Sequence, residues 1–274
     1  MKLSDIVRAA IHDILQHGYD SEDRIARWKH RLREGMQSSM VPLITLKRKS
    51  TRHLTDIYNR VTNPKGLLRK HKGISAYTLA RIRPELRAEL DRRIMSNANL
   101  IKLNRQASIE RTLQRFEGWA TSIPAGGTKA YKKRPIDTHL RKAFQSLPFE
   151  ERRVIIDQGH KLSAALNDIV AKGGDAIAAI WHSHWRETGY DYRPRHKQFD
   201  ERVFVIRDNW ALKAGLMKLG GSFYTDQIEG AGEAIFCRCY YQYLYTPESL
   251  PDYLLTEKGR EYVKRGKANE IKAG

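Results

Sequence analysis

Cysteine is nearly absent. The 274-residue chain has two, both in one Cys-Arg-Cys triplet at 237–239. Two thiols separated by a single residue make no disulfide framework. The expected compartment is therefore reducing and intracellular, or a particle assembled there. Long apolar runs are also missing. None approaches the roughly 20 residues that a membrane-crossing helix needs, so no membrane partner is expected. The opening MKLSDIVRAAIHDILQ carries acids among its apolar residues and lacks a small-residue cleavage site, so it reads as a poor secretory signal. The chain has no G-x-S-x-G, Walker A, dinucleotide-binding glycine fingerprint or H-E-x-x-H. An enzyme reading has little to rest on, and no cofactor is expected.

Negative charge is scarce. Lys and Arg number 50 against 31 Asp and Glu, a net charge of +19. Residues 1–150 hold 31 of the basic and 14 of the acidic residues, or +17; residues 151–274 hold 19 and 17, or +2. An excess confined to one half points to a polyanionic partner, most simply double-stranded DNA. The basic clusters Lys47, Arg48, Lys49; Arg69, Lys70, Lys72; and Lys129, Lys132, Lys133, Arg134 are the candidate phosphate contacts. No zinc-finger spacing or RNA-recognition aromatic motif is present, so the binding expected is nonspecific.

Hydrophobic spacing predicts helices through much of the chain. Ile6, Val7, Ala10, Ile11, Ile14 and Leu15 repeat at helical intervals, with Ser4 as cap and Gly18 as stop. Ile25, Trp28, Leu32 and Met36 form a second stripe. Residues 40–75 read as a basic linker broken by Pro64 and Gly66. A long helical segment starts at Pro84, and SIPAGGTKAYKKRP at 122–135 is a turn-rich boundary. Further helices are expected over 148–172 and over DAIAAIWHSHWRETG at 175–189. RVFVIR at 202–207 and AIFCRCYYQYLY at 234–245 then read as strands, the second with Cys237, Cys239, Tyr241 and Tyr243 on one face. The predicted fold class is α+β: a predominantly helical N-terminal half and a compact C-terminal unit of helices plus a small antiparallel sheet.

Soft metal ligands are few: His182, His184, His196, Cys237 and Cys239. A same-face Cys-x-Cys puts the two Cα atoms roughly 6.5–7 Å apart, which suits a shared metal better than a disulfide. Zinc signatures more often use C-x2-C, and buried thiols commonly act as small apolar groups, so core packing is the expected role. His196, Cys237 and Cys239 are the residues to hold a metal if one binds. On a helix, His182 and His184 would face different ways beside a Trp181/Trp185 stripe, which argues against a paired-histidine site.

One ordered motif spans the C-terminal half. Arg193, Arg195, His196 and Asp200 form R-x-R-H-x-x-x-D; a short strand follows, then Gly232 and Glu233, then Cys237-Arg238-Cys239. This order resembles the phage head morphogenesis family, the Mu F-like minor head proteins. The resemblance covers roughly 85–247, and its specific part is 190–240. It implies a structural minor head protein of a tailed phage, lying in the capsid interior near the portal, with the host cytoplasm as its compartment during assembly. Implied partners are portal protein, other head proteins and packaged DNA, and no catalytic residue is implied. The motif residues would then stabilise a small sheet and its loop, with an Arg forked onto Asp200 and Arg238 paired with Asp226, Glu229 or Glu233. The implied organisation is a basic helical arm with linker at 1–83, the family domain at 84–247 (helices 84–190, sheet 200–247) and a basic tail at 248–274. The alternative is a metal-dependent, nuclease-like enzyme using His182, His184, His196, Cys237 and Cys239.

Overall fold

The computed structural model describes residues 2–128 and 136–273. The chain is an α+β protein with a helical N-terminal half and one small antiparallel sheet. It divides into two compact units, each discontinuous in sequence. One gathers Met1–Thr51 with Met95–Ile156, the other Arg52–Ile94 with Asp157–Gly274. None of the helices found among the described residues is long and apolar enough to cross a membrane.

The first unit is built from helices. Its core joins Ile6, Val7, Ala10 and Ile14 of α1 (Leu3–His17), Ile25, Leu32 and Met36 of α2 (Glu22–Ser39), and Ile109, Leu113 and Phe116 of α5 (Ala76–Thr121). These are the stripes that the spacing predicts. Ser21 caps α2 by accepting from the Arg24 N–H, and Gly18 ends α1 with φ near 70°, where any Cβ would strike the Pro124 carbonyl. Ser4 is not a cap, because α1 begins one residue before it. Asp13 ties the hairpin together: it accepts two bonds from Arg24 at 2.9 and 3.0 Å and one from the Trp28 indole at 2.6 Å.

The second unit combines a sheet with helices. Residues 40–75 are not a linker. They form α3 (Leu43–Val61) and α4 (Pro64–Lys70). Leu46, Leu54 and Ile57 already repeat at helical spacing, and the Lys and Arg between them are good helix formers. Pro64 takes the first position of α4 rather than breaking a helix, with Asn63 accepting from Gly66 N–H. Likewise α5 starts at Ala76, not Pro84, and carries that proline inside it. α6 runs from Ile136 to Gly173, twelve residues earlier than expected.

The main change falls at 175–189. Where a helix is expected, Ala178–His182 is β1, the central strand of a sheet ordered β2-β1-β3. β2 is Val203–Val205 and β3 is Tyr240–Leu244, both antiparallel to β1. A strand buried on both faces reads as an unbroken apolar run, which periodicity alone cannot separate from a buried helix. Ala179, Trp181, Phe204, Tyr241 and Tyr243 point to one face, towards Leu54, Leu67, Leu86, Leu90 and Leu166 at one end and the Phe199–Cys237–Cys239 cluster at the other. Ala178, Ile180, Val203, Val205 and Leu244 point to the other face. Leu250, Leu254 and Leu255 are buried there too, so residues after 247 are part of this core and not a loose tail. α7 (Pro194–Phe199), α8 (Trp210–Lys213) and α9 (Glu257–Ala273) complete the unit. The boundary expected at 83/84 falls inside α5.

Candidate functional site

The motif residues meet at one end of the sheet. Pro194 starts α7, whose single turn and a half buries His196 and Phe199 against Trp181. The chain between 234 and 239 is not strand. Phe236 has φ near 61°, which breaks the extended run before β3 can begin. The predicted alternation nevertheless survives: Cys237 and Cys239 are buried and Arg238 is exposed. Asp157 of α6 holds the kink by accepting the Phe236 N–H at 2.6 Å.

Three soft groups converge here. His196 Nδ1 lies 3.5 Å from Cys237 Sγ and 3.5 Å from Cys239 Sγ. All three residues are buried, and their candidate ligand atoms lie within 4.8 Å of one another. Both thiols are free. Their mutual hydrogen bond shifts the two thiols in opposite directions. The Cys237 thiol is pulled down to about 5, first by a hydrogen bond from the Cys239 thiol and then by backbone N–H groups and His196, against the cost of burial. The same hydrogen bond, together with burial, pushes Cys239 up. Ser183 Oγ sits 3.7 Å from Cys239 Sγ.

The other motif residues frame this centre. Asp200 accepts from the Ser183 N–H at 2.8 Å and the Trp185 indole at 2.7 Å. Burial opposes its ionisation, but these two donors outweigh it and hold the carboxyl below its ordinary value. Among the described residues no arginine forks onto it. Arg193 instead donates to the Ile235 carbonyl at 2.9 Å, and Arg195 lies 5.4 Å over the Phe199 ring. Arg238 lies 5.4 Å over the Tyr190 ring rather than against an acid; Asp226 pairs with Arg207 at 2.7 Å, and Glu233 accepts the Gly230 N–H. Gly232 has φ near 87°, and a Cβ there would come within 2.8 Å of the Ala164 Cβ, so only glycine fits this turn.

Strand geometry also changes the His182-Ser-His184 reading. Two apart on an extended chain, both rings approach Tyr240: His182 stacks on it at 5.0 Å and His184 tilts towards it at 6.0 Å. The expected Trp181/Trp185 helical stripe does not form. A cleft of about 560 Å³ opens beside the thiols, lined among others by His160, His184, Glu187, Cys237, Cys239 and Tyr240. Burial, and then the nearby Arg238 charge, push His160 down. His182 is not among the lining residues, and it bonds Gln242 at 3.1 Å.

Sequence reasoning passes over Asp157, His160 and Ser183, and reads Trp185 only as part of a helical stripe. The i, i+3 spacing of Asp157 and His160 on α6 is the one signal that points to a shared face. The candidate phosphate contacts do not gather at this centre. Lys47, Arg48 and Lys49 lie exposed on α3 in the helical unit, and Arg69, Lys70 and Lys72 lie exposed around the end of α4 in the mixed unit. Lys129, Lys132, Lys133 and Arg134 lie outside the described residues. No family model, curated protein or solved structure matches this chain, so the resemblance to the head morphogenesis family is carried by the motif residues alone.

Proposed function

We propose that the chain is a structural minor head protein of a tailed phage. In this reading it lies inside the head near the portal, contacts packaged DNA without reading its sequence, and aids head assembly or DNA delivery. One observation carries the reading: His196, Gly232, Cys237 and Cys239, far apart in the ordered motif, are buried together, while the motif's Arg193 and Asp200 brace the segments around them. Arg193 fastens α7 to Ile235, His196 faces both thiols, and Gly232 makes the turn that brings Cys237 in. A motif of chance matches has no reason to converge in space.

Charge supports the DNA contact. The helical unit holds 22 Lys and Arg against 11 Asp and Glu, and the mixed unit 28 against 20. Both are basic, because segment 52–94, with 11 against 4, belongs to the mixed unit. Counter-charge is therefore not limited to an N-terminal arm. The test is copurification of the full chain with portal oligomers and filled heads, together with duplex binding across a salt series. Association with the portal and a steep, sequence-independent salt slope are expected. Absence from heads, or a flat slope, overturns the reading.

The cleft beside the thiols favours one second reading, a metal-dependent nuclease-like enzyme drawing on His184, His196, Cys237 and Cys239. Plasmid cleavage that stops when a chelator is added would select it over the structural role.

A further inference from the structure

We infer that His196, Cys237 and Cys239 form a binding site for one zinc ion, with the fourth coordination position open to the cleft. Zinc bonds sulfur at about 2.3 Å and imidazole nitrogen at about 2.0–2.1 Å in a tetrahedron, which sets each nitrogen-to-sulfur distance at about 3.6 Å. His196 Nδ1 is 3.5 Å from both sulfurs. One nitrogen equidistant from two thiols at that spacing fits a shared ion. A core-packing role asks only that the three side chains be buried.

The surroundings of the ligands point the same way. The Ser183 hydroxyl lies 3.7 Å from the Cys239 sulfur, and Arg193 fastens α7, which carries His196, to the Ile235 carbonyl two residues before Cys237. A hydroxyl beside one sulfur and a clamp on the helix that carries the imidazole fix the direction of the ligands, as outer partners do around bound metals. The His196 ring is held edge-on by Trp181 at 5.1 Å. These supports come from β1, α7 and the segment before β3, so the centre is in place before any ion arrives.

The donor set selects the ion and leaves its shell one ligand short. Two thiolates and an imidazole suit zinc, whereas carboxylate sets suit calcium or magnesium. Among the described residues no fourth His, Cys, Asp or Glu joins the group. Cys237 and Cys239 both line the cleft, which gives a water or an incoming ligand access to the remaining position. Binding releases the thiol protons to solvent and changes no oxidation state. The assignment stands on geometry and does not depend on a place in a phage head.

The test uses the full chain purified under reducing conditions. Elemental analysis is expected to give about one zinc per chain, as a three-ligand site requires. His196→Cys, which exchanges one soft ligand for another, should keep the metal, while His196→Asn and Cys239→Ser should lose it. Should those variants fail to fold, the wild-type protein still decides. After chelation and cobalt loading it should show thiolate-to-cobalt charge transfer and the intense visible bands of a tetrahedral ion. Azide should shift those bands if the fourth position is open. A metal-free protein that takes up no cobalt overturns the proposal, as does stoichiometric iron or copper in place of zinc. Zinc that survives in both His196→Asn and Cys239→Ser overturns it equally.

Discussion

The two units solve the problem of burial differently. The helical unit fills its core with aliphatic side chains and the Phe116 and Phe144 rings; the polar residues it buries, Ser50, Asn97, Ser108 and Thr112, are uncharged, and its ionic contact of Asp13 with Arg24 stays partly open to solvent. The mixed unit buries chemistry. His71, Asp157, Gln158, Asn167, His196 and Asn209 all lie inside it, beside both cysteines and the Trp181–Tyr241–Tyr243 aromatic stack. Polar groups are costly to bury and are kept where each finds partners. His71 shows how. Asn167 gives its amide N–H to Ser163 and so offers its oxygen to His71 Nε2, which leaves Nδ1 to accept from the Tyr245 hydroxyl at 2.6 Å. A helical stripe is enough to specify the first unit. The second needs particular partners at particular places, and that is where a site can be built.

The contrast makes its largest prediction about fragments. Residues 136–274 alone omit Leu54, Ile57, Leu67, Leu79, Ile82, Leu86 and Leu90, which form much of the mixed unit's core. That fragment is expected to show no cooperative thermal unfolding and rapid proteolysis. A sharp melt would mean that segment 52–94 is dispensable and would erase the distinction between the units.

Core truncations come next. Trp181→Ala and Phe116→Ala should each cost about 3–5 kcal/mol by denaturant unfolding, since both side chains are fully buried. Only Trp181→Ala should also raise the reactivity of Cys237 and Cys239 towards a thiol reagent, because it removes the wall behind His196.

Acid should separate the units more gently. Burial, the largest influence, lowers the pKa of both His71 and His160, which belong to the mixed unit. Their neutral forms are favoured in the folded state. The stability they contribute is complete above the ordinary histidine value of about 6.5 and is lost as pH falls below it, through the folded-state values. The urea midpoint should therefore drop between neutrality and about pH 5, and His71→Gln should reduce that drop. An unchanged slope in the variant would remove His71 from the account.

The smallest effect belongs to the surface. Arg207 and Asp226 make a two-point ion pair at 2.7 and 2.9 Å, yet both are about half exposed. Arg207→Ala should cost less than about 1 kcal/mol, and still less in high salt.

What the sequence reveals follows the same division. The α1 and α2 stripes, the Gly18 stop and the α+β class are legible, because 3.6-residue periodicity needs no knowledge of distant partners. β1 is not, because Ala178–His182 is apolar on both faces and only pairing with Val203–Val205 and Tyr240–Leu244 makes it a strand. The α3 segment is misread for a related reason: charge hides the Leu46, Leu54, Ile57 spacing. At the site, the order of His196, Asp200 and Cys237-Arg238-Cys239 is visible, and so is the burial of alternate residues at 237–239. The partners are not. Asp200 chooses Ser183 and Trp185 over an arginine, and Arg238 chooses the face of Tyr190 over an acid. Both choices depend on β1 ending where it does.

Each unit is interrupted by a stretch of the other, and this bears on how the chain emerges from a ribosome. The α1–α2 hairpin can form as soon as it is made, and residues 95–121 later supply its third helix. The first half of α5 must wait longer. Leu79, Leu86 and Leu90 can pack early only against Leu54, Ile57, Leu67 and Ile74, and their cluster is incomplete until α6 and then β1 have been synthesised; β1 itself pairs Ala178 with Leu244, 66 residues further on. Closing such distant contacts is slow compared with forming local helices. The unit with the buried histidines and thiols is thus the last to assemble, and its leucines are the surface most exposed to chaperones and to misassociation in the meantime.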